Sequence, residues 1–129
     1  MRGYIDPATN YPLIELAVNG RTLACLIDTG FTGDLAVGQE KARELGLGLT
    51  GQKHFSKTAG GDILTRSVDA TLLWFGHSRD IRATVFPQDG IGPADGLIGI
   101  HLLIGYILVI DLNEGDVVVK DPSLLTTLG

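Results

Sequence analysis

The chain has 129 residues, a net charge of −5 and a single cysteine, Cys25. That length fits one domain covering 1–129, with enough chain to bury roughly two-thirds of its unfolded surface. Lys and Arg are scattered without a basic stripe, which excludes nucleic acid as a partner. The longest apolar run, Leu97–Ile110, is broken by Gly99, His101 and Gly105 and is too short to cross a bilayer, so no membrane partner is expected.

The segment after Met1 has no apolar h-region, so no signal peptide is expected. One cysteine inside an apolar run cannot form an internal disulfide and reads as a buried thiol, compatible with a reducing cytoplasm. Glycine accounts for 18 residues, about twice the usual ~7%, which favours many tight turns and a β-rich chain.

Leu13–Val18 and Thr22–Ile27 flank Asn19-Gly20, the strongest short hairpin signal. Asp28–Gly33 follows as a loop, Asp34–Val37 as a short strand, and Gln39–Leu45 as a helix stopped by Gly46. His54–Thr58 and Ile63–Arg66 form a second hairpin around the tip Ala59-Gly60-Gly61-Asp62. Ser67–Phe75 is a separate strand, Gly76-His77-Ser78 a turn, and Arg79–Phe86 a strand stopped by Pro87. Gln88–Asp95 is a loop, Gly96–Gly99 a short strand, and Ile100–Gly105 a short helix. Leu108–Leu112 and Val117–Lys120 make a last hairpin, and Asp121-Pro122-Ser123 opens a C-terminal helix. The expected fold is all-β: a closed barrel of short strands with one or two short helices.

The chemistry concentrates at Leu26-Ile27-Asp28-Thr29-Gly30. An apolar run ending on a carboxylate at a glycine turn delivers that carboxylate to one fixed point. The tripeptide alone reads sooner as a plain turn, and the preceding apolar run and the rest of the chain shift the balance. A second Asp28, brought alongside by a two-fold axis, changes its chemistry. Two adjacent carboxylates cannot both ionise cheaply, so they share a proton. One then activates a water and the other hydrogen-bonds a carbonyl, which is general acid–base hydrolysis without metal or cofactor.

Other chemistries find little support. His54, His77 and His101 lack ligand spacing, and there is no cysteine pair, so no metal is expected. No Gly-x-Ser-x-Gly elbow is present, and Gly90-Ile91-Gly92 lacks a following helix for a dinucleotide. Asp34 reads as capping or solvating the loop, and His101 as a hydrogen-bonded structural residue. Asp95 is the one other acid to watch.

Three segments in order resemble the retropepsin-type (clan AA) single-domain aspartic proteases of retroviruses and many bacteria. They are Leu26-Ile27-Asp28-Thr29-Gly30, the glycine hairpin Ala59–Arg66, and Gly96-Leu97-Ile98-Gly99. The resemblance implies an aspartic endopeptidase acting as a homodimer on an extended peptide. Asp28 would supply half of the dyad, Thr29 would lock the paired loops, and Gly30 would let the backbone approach. Phe31, Thr32, Gly33, Ala59, Gly60, Gly61, Asp62, Leu97 and Ile98 would line the substrate groove, with the glycine hairpin as a flap. Gly99 would allow close packing beneath the active loop.

The chain departs from the viral pattern at Phe31, where those enzymes have Ala, which implies a bacterial or archaeal branch and an upward-shifted pH optimum. Thr32 and Ile100 replace a viral acid–arginine pair together, so no unpaired charge remains. The added hairpin Leu108–Lys120 implies a dimer interface built differently from the interleaved terminal strands of the viral enzymes. The residues also leave open a non-proteolytic homodimeric peptide- or protein-binding module on the same fold.

Overall fold

The computed structural model describes residues 1–48, 52–58, 61–87 and 94–123. In chain order the elements are β1 (Arg2–Ile5), β2 (Pro12–Val18), β3 (Arg21–Ile27), β4 (Leu35–Gly38), α1 (Gln39–Glu44), β5 (Gln52–Thr58), β6 (Gly61–Trp74), β7 (His77–Phe86), β8 (Gly96–Ile98), α2 (Ile100–Leu103), β9 (Ile107–Asp111) and β10 (Asp116–Lys120).

Asn19 and Gly20 both take left-handed φ, 48° and 80°, the geometry of a type I′ turn. They fold β3 antiparallel onto β2, with Leu13 opposite Leu26 and Val18 opposite Arg21. Leu23, Cys25 and Ile27 alternate inward along β3 and are buried. Beyond them the chain leaves the sheet at Asp28. β3 also pairs in parallel with β8, Cys25 to Gly96 and Ile27 to Ile98. β8 pairs antiparallel with β4, and β4 pairs in parallel with β7. β7 pairs with β6, and β6 returns to β2 at Leu72–Val18. The path β2–β3–β8–β4–β7–β6 is thus a closed barrel. All four residues of β4 are buried, as a strand covered on both faces requires.

α1 ends on Gly46 at φ 71°. Gly46 N–H donates to the Arg43 carbonyl and Leu47 N–H to that of Ala42, a Schellman closure. Ala42, Leu45 and Leu47 join the core. Beyond the barrel, β5 and the first half of β6 form a projecting hairpin in the register Thr58–Gly61. At the other end, β1 pairs with β10 and β10 with β9, leaving β9 as an outer edge.

Several expectations need correction. β1 was not anticipated. The two strands expected over Ile63–Arg66 and Ser67–Phe75 are one strand, β6. His77 is not a turn residue: it begins β7 opposite Trp74, and the turn falls on Phe75 and Gly76, at φ 51° and 78°. β4 begins at Leu35, leaving Asp34 in the loop. The expected tip residues Ala59 and Gly60, most of the expected loop (88–93) and most of the expected C-terminal helix (124–129) lie outside the described residues.

Candidate active site

Asp28 follows the buried end of β3, and its main-chain N–H donates to the Ile98 carbonyl at 3.0 Å. Its side chain is half-buried, and Oδ1 accepts the Gly30 N–H at 3.0 Å. That bond is the usual turn of an Asp onto its own backbone two residues on. Here it also fixes the carboxylate's rotation. Thr29 and Gly30 are exposed. A Cβ on Gly30 would meet only Asp28 Oδ1, at 3.2 Å, so the missing side chain leaves the carboxylate uncrowded.

The loop after Asp28 is laced to the segment after β8. Ile100 N–H donates to the Phe31 carbonyl at 2.8 Å, Gly99 N–H to that of Asp34 at 3.0 Å, and His101 N–H to that of Gly33 at 3.2 Å. Close approach explains the glycines. A Cβ on Gly33 would lie 2.6 Å from the Phe31 ring. One on Gly99 would lie 2.5 Å from the Phe31 carbonyl oxygen and closer still to that of Gly33. Phe31 therefore packs its ring over Gly33 and Gly99. The packing of Gly99 beneath the loop is as the resemblance implied.

Asp34 neither caps nor solvates the loop, contrary to expectation. It is 8% exposed. Its Oδ2 accepts the Arg82 N–H of β7 at 3.2 Å, and its Oδ1 lies 2.6 Å from His101 Nδ1. His101 is hydrogen-bonded, as expected. The viral-type pair is absent at Thr32 and Ile100, but an acid–base pair stands close by at Asp34 and His101. These residues are 67 positions apart, and no spacing in the sequence signals their meeting.

Of the other anticipated groove residues, Thr32, Gly61 and Asp62 are exposed, Gly33 and Leu97 half-buried. Ile98 is fully buried in the core. It holds Asp28 through its carbonyl rather than offering a side chain to a groove. On the projecting hairpin, Phe55 and Leu64 sit opposite each other and are both exposed, Phe55 at 72%. Asp95 is tied to β3, its Oδ2 accepting the Ala24 N–H at 2.9 Å, so its role is in the sheet. Burial, with the Asp95 carboxylate adding to it, pushes the Cys25 thiol up to about 12, leaving it a neutral core residue.

Among the described residues, no three His, Cys, Asp or Glu side chains gather to hold a metal. No helix among them is long and apolar enough to cross a membrane. Two recesses, one walled by Gln39, Lys53, Arg66 and Phe86 and one by Asn19, Asp69 and Asp80, do not include Asp28.

A barrel that sets one Asp-Thr-Gly loop beside a hydrophobic-Gly strand end is the retropepsin-like fold, the fold of aspartic proteases. A family model described as aspartyl protease matches residues 14–102, and the chain belongs to that family. The structure resembles a retropepsin-like aspartic protease from Rickettsia conorii, with a TM-score of 0.67 and 19% identity over 93% of this chain and 89% of that one. It also resembles the EIAV protease complexed with the inhibitor HBY-793, with a TM-score of 0.57 and 21% identity over 76% of this chain and 89% of that one. Among curated proteins, none matches the chain.

Proposed function

We propose that the protein is an aspartic endopeptidase active as a homodimer, each copy supplying one Asp28. The observation that carries this reading is the single half-buried Asp28, hydrogen-bonded to Gly30 beside the exposed Thr29 and Gly30, in a chain of the aspartyl protease family. One carboxylate held this way is half of the acid–base machinery. A two-fold axis through the loop would bring the second. The ionised member of the pair would take a proton from a bound water, and the protonated member would donate a hydrogen bond to the scissile carbonyl. Thr29 would join the two loops across the axis, and the hairpin of β5 and β6 would close over an extended peptide.

The seat of the second copy is read from β9. Ile107 and Val109 are 41% and 38% exposed, and Ile110 and Leu112 are exposed beside them. Natural sheet edges are blunted with Lys, Pro or bulges to prevent pairing. β9 has neither Lys nor Pro in its five residues, Ile-Leu-Val-Ile-Asp. β1 is paired with β10 of its own chain, so the dimer is read as two β9 edges abutting, without exchange of the N-terminal strand.

The Asp28→Asn variant tests the proposal. The amide oxygen still accepts from Gly30, so the fold and any dimer should persist while cleavage of a denatured protein substrate disappears. Cleavage at the wild-type rate would refute the mechanism. A wild-type dimer that binds peptides without cutting them would instead favour a binding module.

A further inference from the structure

Asp34 and His101 connect the two segments that seat Asp28, and the bond between them differs from an ordinary surface ion pair. Asp34 is 8% exposed, and a buried carboxylate is costly unless donors surround it. Its side chain has two: the Arg82 N–H at 3.2 Å and the His101 ring at 2.6 Å. A carboxylate only accepts, so Nδ1 of His101 carries the proton. The ring is itself largely exposed, yet it is held in place by a buried partner. The Arg82 side chain does not compete for this carboxylate, because its guanidinium turns to Asp69 and Ser67.

The pair's position gives it a consequence for Asp28. At one end, the loop is pinned by Asp28 N–H on the Ile98 carbonyl. At the other end, Asp34 bonds Gly99 through its backbone, and β7 and His101 through its side chain. Between these ends stand Gly30 and Gly33, which add little stiffness of their own. Asp28 itself stands at the first end, so the Asp34 end, with the backbone bonds from Ile100 and His101 to Phe31 and Gly33, limits how far the loop behind its carboxylate can shift.

We infer that His101 is a positioning residue for the active site: through the buried carboxylate of Asp34 it clamps the loop 28–34 and sets where Asp28 stands. This rests on the proteolytic reading for its effect on rate, but not for its effect on the loop. A misplacement of a reacting group by about 1 Å can cost about a hundredfold in rate.

The test compares His101→Ala with His101→Asn, whose side-chain amide N–H reaches about as far as Nδ1–H. At a temperature where all three proteins are folded, His101→Ala should lose kcat by about tenfold or more with KM little changed, and His101→Asn should recover most of it. Amide hydrogen exchange at Gly30 and Phe31 should accelerate in His101→Ala and return in His101→Asn. Equal kcat in His101→Ala and wild type, or exchange at those amides that ignores the substitution, would overturn the inference. If the wild type cleaves nothing, the endopeptidase reading fails, and the exchange measurement alone still decides whether His101 clamps the loop.

Discussion

Gly99→Ala is the sharpest probe of how the active loop is seated. Gly99 has φ −115° and ψ −178°, an extended conformation open to any residue, so the substitution adds no backbone strain. Its cost is steric. The new Cβ would lie 2.5 Å from the Phe31 carbonyl oxygen and 2.6 Å from ring Cδ2, with the Gly33 carbonyl oxygen nearer still. Ordinary contact needs about 3.5 Å, so each carbonyl must withdraw by roughly 1 Å. Those same oxygens accept from Ile100 N–H at 2.8 Å and His101 N–H at 3.2 Å. Losing two such bonds costs about 2 kcal/mol, and overpacking adds about 1–3 kcal/mol. The expected total is roughly 3–5 kcal/mol, a large share of a typical domain's stability of about 5–15 kcal/mol. Urea unfolding should show that loss, thermal melting a fall of roughly 10 °C or more, and peptide cleavage should vanish with it. Adding Phe31→Ala should relieve only the ring contact and restore little. A Gly99→Ala protein within about 0.5 kcal/mol of wild type, the range of a neutral surface change, would refute this account of the loop.

Val109→Lys, on the exposed edge of β9, should shift the protein from dimer to monomer in sedimentation velocity and remove activity. Leu73→Lys, at another exposed apolar site on β6, should do neither. A dimer unaffected by Val109→Lys would place the interface elsewhere. Cys25 gives a pH prediction. Its thiol is raised from 9.0 to about 12 in the fold, so the stability this neutral group supplies is complete below pH 9 and is lost progressively between 9 and 12, at about 1.4 kcal/mol per pH unit. A Cys25→Ala protein should therefore show a shallower alkaline decline in urea-determined stability, and parallel declines would refute the assignment.

The barrel strands were legible because they follow local rules: Asn19-Gly20 for the first hairpin, Gly46 for the end of α1, alternation along β3. What was missed depends on distant partners. β1 is four residues with a half-exposed pattern, and its main support, β10, lies at the far end of the chain. β6 read as two strands because its inward phase changes. Thr65 is buried, Arg66 and Ser67 are half-buried, and Val68 resumes burial on the opposite parity. Arg66 and Ser67 are where β6 pairs with β5 and β7 at once, passing from the projecting hairpin into the barrel. At the active loop, Asp28, Thr29 and Gly30 were evident as a motif. The Asp34–His101 bond was not, because it joins residues 67 positions apart, and nothing local to either residue points to the other.

The packing of Phe31 over two glycines also sets the order in which this loop can evolve. The three atoms nearest a Cβ at Gly33 all belong to the Phe31 ring, whereas Gly99 faces main-chain oxygens as well. A smaller residue at position 31 would free position 33 to vary while leaving position 99 confined. Position 33 is thus conditionally mutable, its tolerance depending on which change comes first. Position 99 has no such route, because no substitution elsewhere removes a backbone carbonyl.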